Sequence, residues 1–490
     1  MKTKSLSTVG LLFGLLLFGN VYSCLSGNYT NNGNSVQLLC NPQNDSINPV
    51  DVFEQVWQVL NTNYPYFDQR GIDWNALHKV FSAKISTKTT DEELFNTLCS
   101  LLGLFNDGHI NLDNGKKSFC SGVNYKMEDF SWKLVRDKYL KGSFKSSPDS
   151  LIYYGWIDND LAYLRIRRFP GYEVVDKYFD PIIQELSKAK GIIVEIRGNS
   201  GGTDSGAEAI ANRFADRKRL YEKVYWRMGL KRDFSNLTFH YIQPKGAARY
   251  TGPVVLLQNK HSESASECFA LAMRVIPNVT SVGEITGGCF ASYYPEKLIN
   301  GWSVTLPYSY ATDQNGFCWE GLGVPPDLCR INTKEDIDAR NDKVLELAID
   351  ILKIGGHYGK EAQGSLQDLR ISLVYQFLES SKKNGVKAAV SEFEKMHKNN
   401  PEGVYLSIQE LMYNVGILFS ENKLDAATAI LELGVKSFPD DISTMFFLAM
   451  SYEKQGQPDK AKALYSKIIK YKAYYPWEKG ALAKAKESFK

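Results

Sequence analysis

Two short apolar runs, Ile192 to Ile196 and Val254 to Leu257, each end in a turn rich in Gly or Ser that opens onto a helix-like segment. Runs of this length between turn signals read as buried strands, and strands that alternate with helices make an α/β core. Other segments extend the pattern. Leu161-Ala162-Tyr163-Leu164-Arg165-Ile166 is strand-like, Trp302, Val304 and Leu306 alternate, and Glu208 to Phe214 and Glu267 to Arg274 have helical character. The core is expected over residues 150–352.

The flanks follow another period. Val52, Val56, Trp57 and Leu60 recur at helical spacing, as do Leu77, Val80, Phe81 and then Leu94, Leu98, Leu101 and Leu102, which predicts a helical N-terminal domain over 49–125. Beyond the core, Asp425-Ala426-Ala427 recurs as Asp459-Lys460-Ala461, a shift of 34 residues. That period resembles a tetratricopeptide repeat, so 365–490 is expected to be an all-α repeat domain whose stacked helix pairs offer a surface to a protein partner.

The first residues look like an export signal, 1–23: Lys2 and Lys4, then the apolar Val9 to Phe18, then Val21-Tyr22-Ser23-Cys24. The apolar run is shorter than the ~20 residues of a spanning helix. Membrane association is expected only through a lipid on Cys24, the alternative being simple cleavage nearby. Residues 24–48, rich in Asn, Ser and Gly, read as a flexible tether, and an exported protein of the periplasm or cell envelope is the expectation. A net charge of +3 gives no reason to expect nucleic acid as a partner. The eight cysteines contain no C-x-x-C pair, so neither a zinc site nor thioredoxin-like chemistry is expected, and pairing among Cys268, Cys289, Cys318 and Cys329 stays open.

Four separated segments carry candidate chemistry. Asp107-Gly108-His109 closes the N-terminal helical region, and Arg197 to Gly202 follows the first buried strand. Ser262 to Glu267 lies between the second strand and a helix, and Glu320 to Asp327 follows the last strands. A serine at a strand-to-helix turn can be held exposed beside free backbone N–H groups, which suits a nucleophile. Gly201 or Gly202 can donate an N–H to an oxyanion. Serine needs a base, and His109 is the histidine placed in a motif, with His261 ranked second. Glu320 can orient and charge-balance an imidazole as a third member.

In this order, these segments resemble the tail-specific protease family, which includes C-terminal processing peptidases, the tricorn core and the interphotoreceptor retinoid-binding proteins; the likeness spans roughly residues 50–352. The resemblance implies a crotonase/ClpP-like ββα spiral rather than a doubly wound sheet. It assigns the nucleophile to the Ser three before the Glu, Ser264 before Glu267, with the Ala265 N–H joining the Gly201 or Gly202 N–H at the oxyanion. Processing peptidases place a catalytic Lys 25 residues after the nucleophile, where this chain has Cys289. Tricorn-like members use a His and a Glu that fall on His109 and Glu320. The PDZ domain that commonly captures protein tails does not fit between 113 and about 152. The expectation is a serine-type peptidase with a Ser264–His109–Glu320 triad, acting on peptides or unfolded proteins without cofactor or metal; the alternative is an inactive binding or scaffold protein on the same fold.

Overall fold

The structure, a computed structural model, describes residues 47–122, 126–228, 233–354, 371–401, 404–406, 408–471, 473 and 476–489. The export signal, Cys24 and all but the last two residues of the tether lie outside them. Two compact units are present, Val224–Phe239 with Asp368–Lys490, and the remainder of the described chain. No helix among the described residues is long and apolar enough to cross a membrane.

The larger unit is built on a seven-stranded sheet. From one edge the strands are Leu328–Cys329, Val279–Gly283, Val254–Gln258, Gly191–Glu195, Leu161–Ile166, Ile152–Trp156 and Phe144–Ser146. The first five run parallel, and the last two join antiparallel. Every residue of the four strands from Val279–Gly283 to Leu161–Ile166 is buried, as expected where both faces of a parallel sheet are covered. Helices Tyr172–Leu186, Asp204–Asn212 and Ala265–Arg274 lie between the strands in sequence, the last two close to the positions that periodicity predicts.

A second, antiparallel sheet brings the N-terminal segment to this core. Asn111–Asp113 pairs on one side with Ser118–Cys120 and on the other with Ser303–Pro307, in the register Asn111 opposite Thr305. The N-terminal helices Pro49–Asn63 and Asp91–Leu102 begin with side-chain caps. Asn48 accepts the Val50 N–H ahead of Pro49, and Thr90 forms a reciprocal box with Glu93.

One buried ion network secures the end of the strand Gly191–Glu195. The Arg197 guanidinium, 1% exposed, donates to Glu195 at 2.6–3.1 Å and to both oxygens of Asp342 at 3.0 and 2.9 Å. Phe130 lies under the guanidinium plane at 4.7 Å. Asp342 also caps the helix Lys343–Lys353 through the Leu345 N–H, so one cation joins a strand end to a helix start.

From Leu373 onward the smaller unit is mostly helical. The helices Leu424–Ser437 and Pro458–Ile468 begin 34 residues apart, and Met445, Leu431 and Tyr465 are among its buried core.

Replacing Arg197 by Met leaves Glu195 and Asp342 buried without a counter-charge. We expect a loss of about 3–5 kcal/mol in urea unfolding of the folded chain; a loss below about 1 kcal/mol would show that the network does not secure the core.

Candidate active site

Ser264 stands where the strand Val254–Gln258 has turned into the helix Ala265–Arg274. Its φ is 57° and ψ −126°, a backbone state that costs a non-glycine residue about 1–3 kcal/mol and persists only where neighbours enforce it. The enforcing contacts are visible. The Ser264 N–H donates to the Cys289 carbonyl at 3.0 Å and to Glu267 Oε2 at 3.3 Å, while the adjacent Glu263 N–H donates to the Asn199 carbonyl at 3.0 Å.

Glu267 is fully buried and collects donors from the loop after the next strand. Thr286 Oγ1 donates to it at 2.6 Å, the Gly288 N–H at 2.7 Å and the Cys289 N–H at 2.6 Å. Burial pushes this carboxyl up to about 7, against the pull of those hydrogen bonds. Asn199 does similar work on the other side. Its amide donates to the Ile166 carbonyl and accepts the Gly201 N–H, both at 2.9 Å, and its carbonyl accepts Ser266 Oγ at 2.7 Å.

The two glycines are thereby distinguished. Gly201, at φ +99°, lies so close under the turn that a Cβ there would meet Ser264 Cβ at 2.7 Å, and its N–H is already committed to Asn199. Gly202, at φ +143°, leaves no room for a side chain against Phe169, its built Cβ falling 2.2 Å from the Phe169 carbonyl oxygen. Among the described residues neither the Gly202 N–H nor the Ala265 N–H finds an acceptor. Gly202 lines the cavity that Ser264 faces.

That cavity, about 190 Å³, is also lined by Gly108, His109, Cys289 and Tyr293. His109 precedes the Asn111–Asp113 strand and is held by its neighbour Ser303–Pro307, Thr305 Oγ1 donating to the His109 carbonyl at 2.6 Å. Its ring stacks on Tyr293 with centroids 4.7 Å apart. Burial pushes the imidazole down to about 4; Asp107 pulls upward and Arg70 adds to the depression. No hydrogen bond joins the Ser264 hydroxyl to the His109 ring, a separation common before substrate draws such pairs together. His261 does not line the cavity.

Glu320 has other partners. One oxygen pairs with the Arg70 guanidinium, and the other accepts the N–H groups of Phe290 at 2.8 Å and Ala291 at 3.3 Å. Burial and the neighbouring Asp107 push its carboxyl up to about 8 against the pull of Arg70. The carboxylate beside the His109 ring is Asp107, which accepts the His109 backbone N–H at 2.9 Å and the Tyr64 hydroxyl at 2.9 Å and lies 3.8 Å from Arg70. Sequence reasoning missed Arg70 and Tyr64, and it noted Asp107 only as part of a motif. Cys289 is a buried thiol, raised well above its usual range by burial first and by Asp107 and Glu320. The six described cysteines are all unpaired thiols.

A strained serine at a strand-to-helix turn, two unengaged N–H groups beside it and a buried imidazole thus line or flank one small cavity. Residues 160–329 match the Peptidase family S41 and residues 50–103 the tricorn protease C1 domain. The carboxy-terminal processing proteases CtpA and CtpB of Bacillus subtilis are 30% and 29% identical over 183 and 173 residues, 37% and 35% of this chain and 37% and 34% of theirs. The chain thus spans about a third of the length of the curated relatives it matches. The crystal structure of a Parabacteroides merdae protein assigned as a peptidase is 28% identical, with a TM-score of 0.56 over 64% of this chain and 98% of that one. Over residues 160–329 the chain is thus similar to S41 peptidases, and its core has the crotonase/ClpP-like α/β peptidase fold.

Because burial stabilises the neutral imidazole, a His109 base stays unprotonated well below the ordinary histidine range. The acid limb of any Ser264-dependent reaction is expected near pH 4, with rate lost as pH falls through that value. A limb near pH ~6.5, the unperturbed value, would mean that the working base is another group or a solvated one.

Proposed function

We propose that this chain is an exported serine peptidase. Ser264 Oγ attacks a peptide carbonyl, its proton passes to His109, and the tetrahedral oxyanion is received by the N–H groups of Gly202 and Ala265. The intermediate collapses as His109 passes that proton to the leaving amine and the C–N bond breaks; water, giving a proton to His109, then attacks the acyl-enzyme, and its C–O bond to Ser264 breaks as His109 returns the proton to Oγ. The observation that carries this reading is the pair of unengaged N–H groups beside a serine held in a strained turn.

Asp107 is the carboxylate best situated to steady the His109 ring. Glu320 acts at one remove, through Arg70 and the Phe290–Ala291 backbone that walls the cavity. The triad of the sequence reading becomes, in this proposal, Ser264 and His109 with two carboxylates sharing one guanidinium. The helical unit is proposed to be a set of tetratricopeptide-like repeats that presents a protein partner or unfolded chain, in place of the PDZ domain that residues 113–152 cannot accommodate. Residues 1–23 are proposed to direct export.

The test is hydrolysis of a mixture of unstructured peptides by the purified mature chain, read by mass spectrometry. New peptide termini that disappear in Ser264→Ala are expected, and His109→Ala, which removes the proposed base, should lower kcat by about 10²–10⁴. Cleavage that persists in Ser264→Ala, or none by folded wild type, would favour the binding-protein reading.

A further inference from the structure

The side chains of Asp107, His109 and Cys289 are all buried and offer ligand atoms lying within 4.8 Å of one another. Cys289 Sγ is already 3.9 Å from Asp107 Oδ1. A second observation concerns the same histidine: His109, 6% exposed, has a buried Nδ1 without any hydrogen-bond partner. An unsatisfied ring nitrogen in a buried site costs about 1–3 kcal/mol, so a group able to accept its lone pair has something to gain there.

We propose that Asp107, His109 and Cys289 form a binding site for a soft divalent cation of the zinc type, and that its occupation silences the enzyme by taking up the general base. The cation site stands on ligand geometry alone; the silencing rests on the peptidase reading above. The donor set of thiolate, imidazole and carboxylate is that of zinc rather than of magnesium or calcium, which prefer oxygen. Ligand atoms at tetrahedral angles around zinc lie ~3.3–3.6 Å apart, so closure requires side-chain shifts on the order of 1 Å. The thiol proton leaves to solvent on binding, and the resulting thiolate and the Asp107 carboxylate together balance the two charges of the ion. The fourth position opens onto the cavity that Ser264 faces, where water can complete the tetrahedron. Arg70, 3.8 Å from Asp107, opposes the cation, and its pairing with Glu320 offsets part of that repulsion.

The experiment titrates zinc into the reduced, chelator-stripped mature chain against a chromogenic chelator, with cobalt(II) as the spectroscopic probe. One equivalent should bind, cobalt should show a thiolate charge-transfer band, and affinity should fall at least ~10-fold in Cys289→Ser and in His109→Gln. Affinity should not change in Cys120→Ser, which removes an exposed thiol. Failure of the wild type to bind, or binding unaffected by both ligand substitutions in chains shown to be folded by circular dichroism, overturns the cation site. Labelling of Ser264 by a fluorophosphonate should stop with zinc and return with chelator; labelling that continues with zinc bound overturns the silencing. A chain that binds zinc through these ligands but never labels, with or without metal, keeps the site and removes the peptidase reading instead.

Discussion

The carboxylate of Glu267 holds together the turn on which everything else depends. It sits one helical turn beyond Ser264, out of contact with solvent, and its oxygens gather donors from Ser264 itself and from the loop Thr286–Cys289. Withdrawing those backbone N–H groups from water would cost about 1–3 kcal/mol each if they were left unpaired. Paired with one carboxylate, they lock the serine turn against the opposite wall of the cavity. The Cys289 carbonyl returns a bond to the Ser264 N–H, so the two segments fix each other, and the unusual Ser264 backbone state is over-determined rather than merely tolerated.

A second constraint comes from the N-terminal domain. Arg70 reaches past its own neighbours to the Asn106 carbonyl at 2.6 Å, to Asp107 and to Glu320, linking residues 250 positions apart. Asp107 and Glu320 need this cation because two buried carboxylates at close range repel, and the guanidinium is the group that remains charged under that burial. The pairing of Asn111–Asp113 with Ser303–Pro307 then delivers His109 to the rim of the cavity. The helical N-terminal segment is therefore part of the unit that builds the candidate site rather than an appendage.

Local patterns carried much of this architecture. Ile192–Ile196 and Val254–Leu257 read as buried strands because parallel strands covered on both faces have few polar positions, and the motifs around Ser264, Gly202 and His109 stood out because each sits at an element boundary. What periodicity could not display is pairing at a distance. Asp342 gives no local sign of meeting Arg197, nor Glu320 of meeting Arg70, and the long hairpin Arg219–Met228 and Asp233–Ile242 went unread. The choice between Gly201 and Gly202 depended on an Asn199 side chain whose direction no sequence pattern encodes. Asp107, His109 and Cys289 lacked metal-ligand spacing because Cys289 lies 182 residues from Asp107 and converges on it only in the fold.

Ser264 as an activated nucleophile served by a buried imidazole is the proposal on which the rest turns. Fluorophosphonate labelling of the metal-free mature chain, with the adduct mapped by mass spectrometry, tests it most directly. A single adduct on Ser264 is expected, absent in Ser264→Ala and strongly slowed in His109→Ala. A folded wild type that does not label, or an adduct on another serine, would contradict it.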